Sequence, residues 1–328
     1  MYKSLRVAVV IPAYREAGRI GGVIRELPDW IDHFIVVDDC SNDDTAGAAS
    51  KVTDQRLKVI RLTENQGVGG ATIAGFNQAI ELGAEIIVKM DGDGQMDPKG
   101  LPAMIDPLQL GEADYTKGNR FMHTRALVQM PLIRRLGNVG ISFMAKMASG
   151  YWSNFDPTNG YLAMHSSVWQ MLDHPRLQRR FFFENSLLLE LGLCRAVVRD
   201  VYMPARYNDK VSHLSERKAL LEFPPQLLKG YLRRMVLQYF VRDFSAASLF
   251  FLTGALACVF GVIWGGWNWW HYASQGLATP TGTVMIAVLP LVLGLQLLLQ
   301  ALVMDIQGVP REPIHRRPAA AAAAPKRA

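Results

Sequence analysis

Residues 89–98 read Lys89-Met90-Asp91-Gly92-Asp93-Gly94-Gln95-Met96-Asp97-Pro98. The run from Ala84 to Val88 before them predicts a buried strand, and the proline closes the stretch. Two carboxylates one residue apart at a strand end can face one small volume, provided the chain turns there. Gly92 and Gly94 permit the turn and leave room for a ligand. Asp91, Asp93 and the side-chain oxygen of Gln95 are hard donors. They suit magnesium or manganese, which keep positions open for substrate phosphates. Taken alone, the stretch reads more simply as an acidic turn that caps the next segment. Its neighbours decide between the two.

Upstream, Val7 to Ile11 is a β-branched run with the look of a strand buried on both faces, broken at Pro12. A helix is predicted from Arg19 to Leu27, with Ile20, Val23, Ile24 and Leu27 on one face. His33 to Val37 predicts a second strand. The capping-rich loop Asp38 to Thr45 and an alanine-rich helix follow it. Leu57 to Leu62 predicts a third strand. Asn65 to Gly70 is then a glycine turn into a helix from Ala71 to Leu82, with Asn65 as its cap. Strands alternating with helices imply a mostly parallel, Rossmann-like α/β sheet. In such sheets ligands sit beyond the carboxyl ends of the strands. Four of those ends carry polar or glycine residues: Tyr14 and Glu16, Asp38 and Asp39, Asn65 and Gly67, Asp91 and Asp93. That convergence predicts a binding crevice. The glycine turn lacks the spacing of a phosphate loop, and no G-x-G-x-x-G follows the first strand. Both observations argue against a P-loop NTPase and a dinucleotide dehydrogenase.

The chain has 328 residues, 50 % hydrophobic and 20 % charged, with a net charge of +6. The apolar excess lies near the C-terminus, which predicts a soluble head with a membrane tail. The positive charge suits nucleic acid, an anionic membrane or phosphorylated substrates. Three widely spaced cysteines, Cys40, Cys194 and Cys258, give no disulfide framework and point to a reducing compartment. The apolar run near the N-terminus is too short for a signal peptide.

Four stretches, Pro12 to Glu16 (PAYRE), Val36 to Asp43 (VVDDCSND), Asn65 to Ala71 (NQGVGGA) and Met90 to Pro98 (MDGDGQMDP), stand in an order and spacing that resembles family-two, GT-A-fold glycosyltransferases. The closer resemblance is to the polyprenyl-phosphate branch, which includes dolichol-phosphate mannose synthases, over roughly residues 5–215. The resemblance implies that Pro12, Tyr14, Glu16, Val37 and Asp39 hold the base and ribose of a UDP- or GDP-linked sugar. It implies that Asp91, Gly92, Asp93 and Gln95 meet the diphosphate through Mg2+ or Mn2+. The usual loop has alanine where Gly92 stands, a loss of one methyl. Asp114 to Arg120 resembles the strand that ends in an arginine near the donor phosphates. Arg134 or Arg135 would approach the acceptor phosphate. Asp156-Pro157-Thr158-Asn159-Gly160-Tyr161 matches the family's D-P-x-x-G-[FY] loop and would put Asp156 at the active centre with Asp93 and Arg120. Leu162 and Ala163 follow the aromatic where relatives often carry arginine. Glu184 matches an acidic position and is equally read as a structural carboxylate. Arg206 to Leu214 resembles a basic segment that closes over the donor, although His213 stands where lysine is usual. The implied partners are a nucleotide sugar, a polyprenyl phosphate and a membrane. No nucleic acid is implied, and a homo-oligomer is left open.

Lys218 to Phe244 mixes basic and apolar residues and predicts interfacial helices broken at Pro224-Pro225. Leu249 to Trp270 carries no charged side chain and would extend about 33 Å as a helix, enough to span a bilayer. Val284 to Met304 predicts a second span. Four tryptophans cluster at the far end of the first span, as an aromatic belt would. The connector from His271 to Thr283 has no Lys or Arg, whereas Arg233, Arg234, Arg242, Arg311, Arg316 and Arg317 flank the spans on the other side. That asymmetry predicts an inner-membrane protein with head and tail in the cytoplasm. The expected organisation is a head over 1–215, interfacial helices over 216–245, a two-span hairpin over 246–305 and a basic, disordered tail over 306–328.

Overall fold

The computed structural model describes residues 1–120, 132–203 and 216–316. The chain divides into two compact units. One holds residues 1–230 together with the segment from Pro310 onward, and the other holds Tyr231–Val309. Arg206, His213, Arg317 and the alanine run that begins at Ala319 lie outside the described residues.

In the first unit the chain runs β1 (Val7–Ala13), α1 (Ile20–Arg25), β2 (His33–Asp38), α2 (Thr45–Ser50), β3 (Leu57–Arg61), α3 (Gly67–Glu81) and β4 (Ile86–Lys89). It continues with α4 (Leu101–Gln109), β5 (Tyr115–Asn119), α5 (Leu132–Ser149), β6 (Leu162–His165), α6 (Ser166–Met171), α7 (Phe183–Cys194) and β7 (Val198–Tyr202). Among the described residues these seven strands form one mixed sheet, in the order β3-β2-β1-β4-β6-β5-β7. Pairing is parallel except at β6, which runs antiparallel to both β4 and β5.

The β-branched strands are buried on both faces because helices cover both. On β1, Val7, Val9 and Ile11 join the layer with Ile20, Val23, Ile24, Met104 and Ile105. Ala8 and Val10 join the opposite layer with Ala71, Phe76, Trp169 and Phe183. The period-two alternation of the strand makes this split. Strand β4 repeats it, with Ile86 and Val88 on the first face and Ile87 on the second.

Two local expectations change. The helix predicted from Ala71 begins at Gly67, so the glycine turn is its first turn. Its amide donors are met by Asp39 and not by Asn65: the Asp39 carboxylate accepts from Gln66 N at 2.7 Å and Gly67 N at 2.8 Å. The basic stretch after residue 215 is not broken at its prolines. Helix α8 (Glu216–Val236) runs through Pro224 and Pro225. Each proline removes one amide from the ladder, and the adjacent pair concentrates the loss in one turn with intact turns on either side. A short π-helical stretch, Leu237–Arg242, follows.

The second unit contains α9 (Ala246–Ser274) and α10 (Thr281–Gln307), both long and apolar enough to cross a membrane. They pack at glycines. A Cβ on Gly254 would stand 2.9 Å from the carbonyl oxygen of Gly294, and one on Gly294 would stand 2.8 Å from that of Gly254. Close backbone approach through small residues is how apolar helices associate where burial from water offers no drive. We expect Gly294→Leu to lower the unfolding midpoint of detergent-solubilised protein, by overpacking of about 1–3 kcal/mol. Nucleotide binding by the head should be unchanged, which isothermal titration of UDP and GDP would check.

Candidate active site

The carboxyl ends of β1, β2, β4 and β5 lie at one edge of the sheet, as the strand register requires. Because β6 runs the other way, the loop that enters it, Asp156 to Tyr161, arrives at that same edge. The acidic loop after β4 and the Asp-Pro loop before β6 therefore meet.

On the β1 and β2 side, Pro12 lies inside β1 and Val37 inside β2, both buried. Tyr14 is exposed, with the Arg15 guanidinium 5.2 Å from its ring centroid. Glu16 is buried; its amide donates to Thr45 Oγ1 at 2.9 Å and its carboxylate takes Arg19 at 3.3 Å. Asp39 is buried and anchors the start of α3, as described above.

In the acidic loop Gly94 has φ +76°, a conformation that favours glycine. Gln95 N donates to Asp93 Oδ1 at 3.0 Å and closes the turn. A methyl on Gly92 would meet Ala13, Ile11 and Ile20 at 3.3–3.4 Å, a tight but ordinary apolar seat. Asp91 is one-third exposed and shares Oδ1 with the Lys89 ammonium at 2.7 Å. Among the described residues no three of His, Cys, Asp and Glu cluster into a metal cage. Two neighbouring carboxylates without a cage fit a hard divalent ion that takes its remaining ligands from substrate phosphates and water. Asp91 and Asp93 would hold it, with the amide oxygen of Gln95 as the third candidate.

The Asp-Pro loop is more tightly built. Asp156 is buried with φ +54°, a left-handed conformation that Asp tolerates better than most residues. Arg120 grips its carboxylate with two hydrogen bonds, Nε to Oδ2 and Nη2 to Oδ1, each 2.8 Å. Asn159 Nδ2 adds a third at 3.2 Å. Burial pushes the Asp156 carboxyl up, but the Arg120 guanidinium, helped by Lys117, outweighs it and holds the group below the usual carboxylate range. A depressed value stabilises the fold above the unfolded carboxyl value, and the contribution disappears as pH falls through the folded one. Arg120→Met should therefore melt below the parent at pH 7, and thermal scans should show the gap closing below about pH 4.

Three residues that hold these loops carry no motif and were not singled out in the sequence. Lys117, on β5, is almost fully buried. Its ammonium donates to the carbonyls of Phe155 and Asp156 and pairs with Asp200 at 3.2 Å. Asp200, on β7, also accepts from Asn119 at 2.8 Å, Asn154 at 2.8 Å and Phe155 N at 2.7 Å. The third is Lys89. For Lys89 the available signal was a lysine at the end of a short apolar strand. Arg134 and Arg135 fall on α5, whose side chains at those positions lie outside the described residues, as does Arg206.

A family model described as glycosyl transferase family 2 matches residues 8–185. The chain is 31 % identical over 190 residues to a UDP-N-acetylglucosamine–dolichyl-phosphate N-acetylglucosaminyltransferase of Methanococcus voltae, covering 53 % of this chain and 75 % of that one. It is 30 % identical over 173 residues to an undecaprenyl-phosphate mannosyltransferase of Micrococcus luteus, covering 52 % and 70 %. The fold is similar to that of glucosyl-3-phosphoglycerate synthase from Mycobacterium tuberculosis, solved with Mg2+ and UDP. There the TM-score is 0.51 at 21 % identity, over 70 % of this chain and 79 % of that one.

Proposed function

Since the chain belongs to glycosyl transferase family 2 and is a glycosyltransferase, we propose that it moves a sugar from a nucleotide diphosphate onto a polyprenyl phosphate at the cytoplasmic face of a membrane. The observation that carries this reading is the state of Asp156. Its carboxylate is buried and held at both oxygens by Arg120. A group so engaged is poorly placed to take a proton from a hydroxyl. A lipid phosphate needs no such base, because its oxygen is already ionised near neutral pH. That oxygen attacks the anomeric carbon, the bond to the diphosphate oxygen breaks, and the nucleoside diphosphate leaves with the electron pair. The in-line displacement inverts the anomeric centre.

Tyr14, Glu16 and the Asp39-anchored start of α3 would line the nucleoside side, with Pro12 and Val37 as its floor. A bound Mg2+ or Mn2+, each found with UDP in structures of the same relative, would neutralise charge on the leaving diphosphate. Asp156 and Arg120 act as a rigid positioning pair. The hairpin would keep the prenyl chain in lipid. Its two flanks both continue into residues of the head's unit, so a two-span hairpin would leave head and returning segment on one side of the membrane. The basic flanks and uncharged connector support the cytoplasmic side.

The test incubates purified full-length protein with radiolabelled UDP- and GDP-sugars, Mn2+, and either a polyprenyl phosphate or diacylglycerol. Label should appear in an acid-labile prenyl-phosphate lipid, at a rate flat from pH 7 to 8.5. Label confined to diacylglycerol, with a rate that rises with pH, would overturn the reading.

A further inference from the structure

Lys89 is an unusual last residue for a buried strand. The alternation of β4 sends it to the face of Ile87, the layer that contains α7. There its side chain is 1 % exposed, and its ammonium meets three oxygens from three parts of the chain. They are Asp91 Oδ1 at 2.7 Å, Gly160 O at 3.1 Å and Glu184 Oε1 at 3.3 Å. An ammonium has three protons, so all are placed.

The three oxygens belong to different functions. Asp91 is in the acidic loop, on the donor side. Gly160 is in the Asp-Pro loop, on the acceptor side. Glu184 is in the first turn of α7 and is buried. With Oδ1 held by Lys89, Asp91 presents Oδ2 toward Gly160. A Cβ built on Gly160 would stand 2.8 Å from that Oδ2 and 2.6 Å from Lys89 Nζ. The backbone of one loop thus lies directly on the Lys–Asp pair of the other. Gly160 does not have positive φ, so what excludes a larger residue there is this contact and not backbone strain.

We propose that Lys89, backed by Glu184, is a positioning residue that fixes the Asp91 carboxylate for a divalent ion and ties the donor-side loop to the acceptor-side loop at Gly160. The inference rests on the glycosyltransferase reading of the acidic loop. Two consequences follow from the geometry. Asp91 leaves Oδ2, the oxygen that Lys89 does not engage, as the one that meets an ion most directly. A perturbation on the acceptor loop must also be felt on the donor side, because both press on one ammonium.

Two variants test this without leaving a buried charge unpaired. The pair Lys89→Met with Glu184→Gln removes one charge of each sign. Gly160→Ala adds one methyl against Lys89 and Asp91 on an acceptable backbone. Mn2+ binding to purified full-length protein is measured by electron paramagnetic resonance, with and without UDP or GDP, beside the thermal unfolding midpoint. We expect both variants to fold and each to lose about tenfold in Mn2+ affinity, the usual cost of disturbing a partner that orients a metal ligand. Wild-type Mn2+ affinity in either folded variant would overturn the proposal and leave the function standing. Failure of the wild-type protein to bind Mn2+ under any condition would overturn both.

Discussion

Asp93→Ala should abolish lipid-linked sugar formation, with a loss of at least about a thousandfold, or ~4 kcal/mol of transition-state stabilisation. The expectation follows from how the two loop carboxylates are used. The Lys89 ammonium offsets the charge of Asp91 at 2.7 Å, which makes the Asp93 carboxylate the larger source of attraction for a divalent ion. Asp93 sits on a turn formed by Gly94 at φ +76° and the Gln95 amide, which donates to its Oδ1. Among the described residues no further cluster of three His, Cys, Asp or Glu offers a replacement cage. Asp93→Asn keeps an acceptor for the Gln95 amide and isolates charge from folding; it should fold normally and lose most of the activity. Product formation at saturating Mn2+ measures both, and near-normal turnover by either variant would remove Asp93 from the metal site.

Asp114→Ala should be the most destabilising single substitution in the head outside the sheet core. Asp114 is fully buried, and its carboxylate is satisfied almost wholly by the segment that returns after α10. It accepts from Ile314 N at 2.9 Å, His315 N at 3.0 Å, His315 Nδ1 at 2.7 Å and, within the head, Val197 N at 2.7 Å. The His315 ring stacks on His165 at 3.9 Å, and Arg316 donates to the Leu110 carbonyl. Ile314 is buried among head residues. The tail expected to be free from residue 306 is therefore, at Ile314–Arg316, a turn of the head. Removing the carboxylate strands several buried donors at about 1–3 kcal/mol each before relaxation, which should lower the melting midpoint by on the order of 5–10 °C. Truncation after Val309 should do the same and should also leave Asp114 without three of these partners. Trypsin should cut Asp114→Ala at Arg311 or Arg316 faster than the parent; equal rates would show that the docking contributes little. The pH dependence has a fixed sign. Burial raises the Asp114 carboxyl, but His315 and the amides outweigh it and depress the group. Docking should therefore persist through neutral pH and fail only in acid, as pH falls through the folded value.

Much of the architecture follows from local rules. The β-branched runs predicted β1 to β4, the uncharged stretches predicted α9 and α10, and the glycines of the acidic loop predicted a turn. Local rules failed where a partner comes from far along the chain. Asn65 is the nearest residue able to cap α3, but Asp39 does so across 28 positions to Gly67. Ile314 to Arg316 reads as part of a disordered tail because Asp114, which holds Ile314 and His315, lies some 200 positions earlier.

The sequence by itself determined which chemistry is available here: two loop carboxylates, an Asp-Pro loop and two apolar spans, at spacings set by the chain. Only the tertiary structure decided how they are used. The reversal of β6 brings the Asp-Pro loop to the edge where β4 delivers the acidic loop. Burial then forces Asp156 and Lys89 to find partners, because an unpaired ion cannot stay buried. Arg120 closes on Asp156 and Lys89 closes on Asp91 for that reason, and no spacing in the chain announces either pair.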